Sequence, residues 1–424
     1  MFKTAWKPLL HWAVTGQWKR FVMEPREVPF PGRLFKPGLY MHVPFCKELC
    51  PYCPYNRIKY EEVFFARFLE ALRHEIDLYA AHVPDQEYSS LYIGGGTPTV
   101  NPRGLATLIG HFRSSFHITG DICVELHPSE MNEACLAKLK EAGVSMLSVG
   151  VESTDDEILK LIGRRHDGAS AVNAVRRGVQ AGFNAVNVDL MFALPTQTVS
   201  HLDRDLKAVL DAGADQISTY PIFGFPYSEL GEKLGLKKIK RPDDRTTRQM
   251  FELISNQAKE AGMKRCAVWS FIRQERKKFS SITRHHYLGF GPSGASMTGD
   301  TFYVNTFSVP EYIDCLPERR PIALAMPLTR RQEMAYWMYW RVYEMTIRKD
   351  DFKNLFGQDL DRVFGKLLFW PRLLGMVERD NGQHIVKEEA AYLLHKIQNE
   401  YSLNYINRLW GTCRAHAWPK KVRL

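Results

Sequence analysis

The chain has 424 residues, enough for two or three domains, and its 45% hydrophobic and 25% charged content is that of an ordinary soluble globular protein. A formal net charge of +10 favours acidic partners, yet there is no RNA-binding signature and no Lys/Arg block of about five or more, so no nucleic-acid partner is expected. No run of about 18 apolar residues is present, so no transmembrane segment is expected, and the N-terminus lacks the apolar run and cleavage site of a signal peptide.

Residues 1–35 stand apart as an amphipathic segment and a Pro-rich connector. Trp6, Leu9, Leu10, Trp12 and Val14 alternate with Lys3, Lys7, Lys19 and Arg20, and EPREVPFPGRLFKPG follows. A basic amphipathic stretch can lie on a membrane; a helix packed on the main domain is the plainer expectation.

Next comes LYMHVPFCKELCPYCPYN, which sets Cys46, Cys50 and Cys53 in a CxxxCxxC spacing just after a short apolar strand. Three thiolates on one loop can hold three irons of a 4Fe-4S cluster and leave the fourth open. A zinc knuckle would want a fourth Cys or His and a second CxxC, which the chain lacks. The other five cysteines (Cys123, Cys135, Cys266, Cys315, Cys413) show no ligand spacing and read as small buried hydrophobes. Free thiols point to a reducing compartment, so a cytoplasmic location is expected.

From 36 to about 225, short apolar strands (GLYMHV, SLYIGGG, ICVELHP, MLSVGVE, AVNVDLMFALP, QISTYPIF) alternate with stretches of helical periodicity. Several of those stretches end at a glycine suited to a helix C-cap: Gly143, Gly182 and Gly213. Strand–helix alternation requires a parallel sheet with helical crossovers, and six units fit a partial (β/α)6 barrel. Ligands in such folds sit at the carboxyl ends of the strands. There the sequence places YIGGGTPT, whose glycines permit close backbone approach or simply a tight turn, then Glu125, Glu152 and, inside an apolar strand, Asp189. An unpaired charge in that strand would be expensive, so Asp189 should face a ligand. His166 reads as a surface residue, and His285 and His286 read as exposed loop residues that could pair or serve a substrate.

After a charged stretch and helix in 226–260, the pattern from 318 to 424 becomes mostly helical. A hairpin turns at Asn381–Gly382, which fits a winged-helix-like packing domain that closes over the strand ends. The terminal CRAHAWPKKVRL reads as a loose basic tail.

The triad resembles the signature of radical S-adenosylmethionine (SAM) enzymes. In them the open iron chelates SAM, and an electron from the cluster releases a 5'-deoxyadenosyl radical. As an ordered set, YMHVPFC, GGGTPT, VELHP, SVGVES, IGRRHD, VDLMFALPTQT and GFGPSGASMTGD resemble the oxygen-independent coproporphyrinogen III dehydrogenases and their relatives over residues 36–310. Those relatives include heme chaperones and porphyrin-modifying methyltransferases. The resemblance implies a first SAM held by Tyr40, Tyr52, Gly95, Glu125 and Ala295. It implies a second met by Gly96, Thr97, Glu152, Arg164 and Asp189, with Phe223 a looser match. Two departures stand out: Glu152 replaces the family's Gln, and Tyr55 replaces a fourth Cys.

The implied activity is oxidative decarboxylation of the propionates of a tetrapyrrole to vinyls, with a flavodoxin- or ferredoxin-type donor. A tetrapyrrole methyltransferase and a heme chaperone are the alternatives. RHHYLGFG lacks the Asn of the chaperones' HN motif, which tilts the balance towards an enzyme.

Overall fold

The computed structural model describes residues 21–236, 239–280, 284–316 and 318–424. The amphipathic stretch expected at the N-terminus lies almost wholly outside them. Six strands, β1 (Gly38–Val43), β2 (Glu87–Gly95), β3 (His117–Leu126), β4 (Met146–Glu152), β5 (Ala185–Phe192) and β6 (Gln216–Pro221), form where the apolar runs lie and pair in parallel in chain order. Between them run α1 (Glu62–His82), α2 (Pro102–Ser115), α3 (Glu133–Glu141), α4 (Asp156–Leu161), α5 (Gly168–Gln180) and α6 (Val199–Asp211).

Each of α2 to α6 opens on an Asn, Asp or Thr cap: Asn101, Asn132, Asp155, Asp167 and Thr198 each accept from a backbone N–H inside the first turn. Such a cap contributes about 1 kcal/mol and fixes where the helix leaves the strand end. At the other end Gly143, Gly182 and Gly213 have φ of 88°, 73° and 91°, the left-handed geometry expected of them. The buried faces are those the periodicity predicted, for example Leu105, Leu108, Ile109 and Phe112 on α2.

The sheet extends beyond six strands. After α7 (Glu229–Gly235) and α8 (Asp244–Glu260) come β7 (Met263–Ala267), β8 (Ser270–Arg273), β9 (Tyr287–Phe290), β10 (Ala295–Met297), β11 (Thr301–Asn305), α9 (Val309–Cys315) and β12 (Ile322–Pro327). The twelve strands are ordered β7-β8-β6-β5-β4-β3-β2-β1-β9-β10-β11-β12. β9 adds to β1 in parallel, and antiparallel pairs extend both edges. Among the described residues the edge strands β7 and β12 do not pair with each other, so the barrel stays open.

The C-terminal region holds α10 (Arg330–Tyr343), α11 (Lys349–Phe356), α12 (Leu360–Leu373), α13 (Glu388–Tyr401) and α14 (Asn407–Ala415) with a three-stranded sheet. Its hairpin turns at Asn381 and Gly382, with φ of 38° and 80°. A separate core of Trp337, Phe352, Phe356, Leu360 and Phe364 holds it together.

Three expectations are corrected here. The basic tail is ordered: Met23 pairs with Val422, Leu424 donates to the Phe21 carbonyl, and Thr306 Oγ1 donates to the Ala417 carbonyl at 2.7 Å. His166 is buried, with Nε2 3.3 Å from the Val151 carbonyl. His285 and His286 are also enclosed and face Glu333 of α10 at 3.3 and 3.5 Å.

The C-terminal region meets the sheet through neutral histidines. Trp269 Nε1 donates to His395 Nδ1 at 3.0 Å, and Trp has no acceptor with which to compensate if that ring is protonated. Burial pushes His395 and His285 down to about 4. The unfolded chain therefore binds more protons between its ordinary value of about 6.5 and pH 4, so stability is complete above that window and falls as pH drops through it. The urea midpoint should fall on acidification from pH 7 to pH 5, and less steeply in His395→Gln, which can still accept from Trp269. An identical slope in the variant would contradict this account.

Candidate active site

Cys46 ends a two-residue strand, Phe45–Cys46, that pairs in parallel with Ile58–Lys59. Ile58 N donates to the Pro44 carbonyl and Tyr60 N to the Cys46 carbonyl, which closes a loop that presents Cys50 and Cys53. Beneath it Phe45 is fully buried among Tyr60, Phe64, Phe65 and Phe68, with ring centroids 5.1–6.3 Å away. That aromatic cage anchors the loop to α1. At the other side of the thiols, Thr97 Oγ1 lies 3.6 Å from Cys46 Sγ and Arg164 Nη1 3.8 Å from Cys50 Sγ. Arg57 donates to the Cys50 carbonyl. All eight cysteines are free; Cys123, Cys135 and Cys413 are buried, while Cys266 and Cys315 are partly exposed.

The inner face of the sheet is layered, because register aligns every second residue. Tyr40, Tyr92, Cys123, Met146 and Ala185 form one mostly apolar tier. One step nearer the strand ends lie His42, Gly94, Glu125, Ser148 and Asn187, and beyond them Gly150 and Asp189. Glu125 accepts from Tyr92 Oη at 2.6 Å and from Gly95 N at 3.1 Å. Asp189 accepts from Ser148 Oγ and Asn187 Nδ2, each at 2.8 Å, and from Tyr220. Glu152, the last residue of β4, has a left-handed φ of 67° and accepts from Tyr52 Oη at 3.0 Å. Below that turn Asp205 of α6 accepts from Ser153 and from both the amide and hydroxyl of Thr154, which fixes the chain just past Glu152.

Two glycines of the triplet are needed for space. Gly95 has φ of 118°, and a Cβ there would fall 2.7 Å from the His42 ring; at Gly96 it would meet the Phe45 carbonyl at 2.7 Å and Cys46 Sγ at 2.9 Å. His42 itself turns away from the thiols: its ring bonds Tyr40 Oη and the Asn56 carbonyl, each at 2.8 Å.

The electrostatics of this face are unbalanced. Desolvation, followed by repulsion from Asp189 among others, pushes Glu125 up to about 7. Desolvation does the same to Glu152, opposed by Arg164 and reinforced by Asp189, and Asp189 is itself raised by its burial. Arg164 keeps a buried Nε with no partner. Burial likewise pushes the Cys46 thiol up to about 12 and raises Cys53, a cost that a bound cation would offset.

This donor set fits an iron–sulfur cluster, whose irons draw the protons from thiols. The dehydrated carboxylates and the spare guanidinium edge fit a ligand that carries both a cationic centre and a carboxylate.

The predicted residues Tyr40, Tyr52, Gly95, Gly96, Thr97, Glu125, Glu152, Arg164 and Asp189 thus gather around the thiol loop. Ala295 lies on β10, its carbonyl packed against Gly289, which is the register partner of Tyr40. Phe223 stands just past β6, with its ring edge-on to Trp269 at 5.7 Å.

Residues 40–209 match the Radical SAM superfamily. Those residues carry a radical SAM domain. The chain is 26% identical over 366 residues to the heme chaperone HemW of Bacillus subtilis, covering 84% of this chain and 95% of that one. Over 304 residues it is 28% identical to the oxygen-independent coproporphyrinogen III oxidase of Salmonella typhimurium, covering 66% of each. Its fold is that of the coproporphyrinogen III oxidase HemN from Escherichia coli, with a TM-score of 0.74 over 92% of this chain and 91% of that one at 23% identity. The superfamily implies a 4Fe-4S cluster and SAM, and no helix among the described residues is long and apolar enough to cross a membrane.

Sequence reasoning missed several residues around the candidate site. Arg57 lies four positions past the last cysteine, and Tyr92, Ser148, Asn187 and Tyr220 sit in strands whose apolar pattern hid their inward face. A second group of possible ligands, His285, His286 and Glu333, has its ligand atoms within 4.8 Å of one another. The Phe35 amide donates to His286 Nδ1 at 3.0 Å, so the ring proton sits on Nε2 and points to Glu333, whose other oxygen takes Arg330 at 2.7 Å. A ligating His donates its second N–H outward instead, so this trio is a hydrogen-bonded hinge between sheet and C-terminal region.

Gly96→Ala should cut the iron bound after anaerobic reconstitution several-fold while leaving the circular dichroism spectrum unchanged. Gly110→Ala, where a Cβ would meet nothing within 4 Å, is the matched control. Full iron content in Gly96→Ala would contradict the close approach of this loop to Cys46.

Proposed function

We propose that this chain is a radical SAM enzyme that acts on a tetrapyrrole, and that its reaction is oxidative decarboxylation of propionate side chains. The observation that carries the reading is the thiol loop set beside Glu125, Glu152, Asp189 and Arg164 at the strand ends. Cys46, Cys50 and Cys53 would ligate the cluster. The Gly95–Thr97 backbone, Tyr40 and Glu125 would take the ammonium end of SAM, and Glu152, Arg164 and Asp189 a second charged ligand. When bound, cluster and SAM supply a 5'-deoxyadenosyl radical that abstracts hydrogen.

What this chain's own residues contribute is positioning. Tyr52 holds Glu152, Tyr92 holds Glu125, and Ser148, Asn187 and Tyr220 hold Asp189, so the carboxylates cannot swing and their geometry is set before a ligand arrives. At the mouth, Phe225 stacks on Tyr227 at 5.4 Å and on Trp410 of α14 at 6.3 Å, with Tyr55 5.7 Å from Trp410. Phe225 is buried within this cluster, and Tyr55, half exposed at its edge, offers a flat macrocycle a ring to lie on. Arg414 beside it, over the Tyr227 ring at 5.3 Å, suits a propionate. α14 also shuts the mouth, since Arg414 Nη1 donates to the Pro54 and Tyr55 carbonyls of the thiol loop.

A second reading, heme handling with little turnover, is supported by the HemW relative, which this chain matches over 95% of that relative's length.

The test is anaerobic: reconstituted protein, SAM, dithionite and coproporphyrinogen III, followed by mass spectrometry of the tetrapyrrole. Stepwise loss of CO2 plus two hydrogens is expected, and Cys50→Ala should abolish both it and SAM cleavage. An unchanged tetrapyrrole would overturn the decarboxylase reading. Stable co-elution of heme with the protein in the same preparation would then support the second, and a methylated product would reject both.

A further inference from the structure

A strongly apolar surface lies far along the chain from the thiol loop, on α12. Its sequence, LDRVFGKLLFWPRL, buries Leu360, Phe364 and Leu368 in the C-terminal core. The opposite face carries Arg362, Lys366, Phe369, Trp370 and Leu373, spaced 4, 3, 1 and 3 residues apart so that they form one stripe. Phe369, Trp370, Leu373 and the next residue, Leu374, are 49%, 63%, 64% and 67% exposed. The Phe369 and Trp370 rings lie 5.4 Å apart, so the apolar atoms form one patch. Single exposed hydrophobics need no explanation, but four contiguous large ones do.

We propose that this stripe docks the protein on an anionic lipid surface. Two large aromatics and two leucines at one end of a helix face, with Arg362 and Lys366 at the other, match the side-chain chemistry of an interfacial helix. The cations meet lipid headgroups while the rings enter the boundary between headgroups and acyl chains. Charge favours this occupant over the others at hand. A second copy of the chain would set Arg362 and Lys366 against the same cations if the two helices ran parallel, or over the other copy's apolar end if they ran antiparallel. Residues 1–20 carry Lys3, Lys7, Lys19 and Arg20 and no acidic residue, so they too would repel the stripe. Those residues instead share its chemistry, with Trp6, Trp12 and Trp18 among the cations. Stable adsorption generally takes two weak anchors, and the net charge of +10 adds to the attraction.

The full-length protein is sedimented with vesicles of phosphatidylcholine alone and of phosphatidylcholine mixed with phosphatidylglycerol. It should pellet with the mixed vesicles and weakly with the neutral ones. Trp370→Ser/Leu373→Ser should lower the partition by at least about tenfold, and Arg362→Gln/Lys366→Gln by about 30-fold. All four side chains are exposed, and an unchanged urea midpoint verifies that each variant folds. Three results would overturn the proposal: no pelleting of the wild type, pelleting of either variant equal to that of the wild type, or a wild-type dimer in sedimentation velocity that Trp370→Ser/Leu373→Ser converts to monomer.

Discussion

Three carboxylates and three thiols share one largely dehydrated face of this protein, and the groups built around them do not balance their charge. Glu125 and Glu152 are each pushed up to about 7, Asp189 is raised, and burial raises the thiols of Cys46 and Cys53. Dehydrating an ion costs several kcal/mol, more than the hydrogen bonds of about 1 kcal/mol from Tyr52, Tyr92 or Ser148 recover singly. Such an arrangement favours a cationic ligand, which would offset the cost of ionising these groups. The superfamily that residues 40–209 match implies a 4Fe-4S cluster and SAM, and under the proposed function irons would meet the thiols and a sulfonium and an ammonium the carboxylates.

The rest of the structure can be understood as the means of holding those groups. Register sets Glu125, Ser148, Asn187 and Asp189 on one face by period-2 alternation. Helix caps and Asp205 then fix the turns that follow the strands. The aromatic cage on Phe45 ties the thiol loop to α1, the first crossover helix. The C-terminal region is joined to this frame at both ends. His395 and the His285–His286–Glu333 trio hold it to the sheet, and α14 with the paired tail brings Trp410 and Arg414 over the thiol loop.

The parallel half of the sheet was legible because each strand contains a short, largely apolar stretch and alternates with a helix of clear periodicity. What the sequence singled out and the structure gathers in one place are the features whose spacing chemistry constrains: CxxxCxxC, the glycine triplet, and a lone Asp189 in an apolar strand. The additions escaped for physical reasons. β9 is only YLGF, four residues with a glycine, too short for periodicity to register, and its partner β1 lies some 250 positions earlier in the chain. His166, His285 and His286 look like surface residues in sequence. Their burial depends on acceptors and donors supplied from distant segments, Val151, Phe35 and Glu333. The tail looked loose by composition, yet a two-residue pairing with Val22–Met23 holds it.

The central claim is that the three-thiol loop holds a cluster whose remaining iron is open to SAM. The most direct measurement is the electron paramagnetic resonance spectrum of the reconstituted, dithionite-reduced protein, recorded before and after SAM is added. A reduced 4Fe-4S signal that shifts on addition of SAM is predicted. A cluster signal that forms fully yet stays unchanged at saturating SAM would contradict the account.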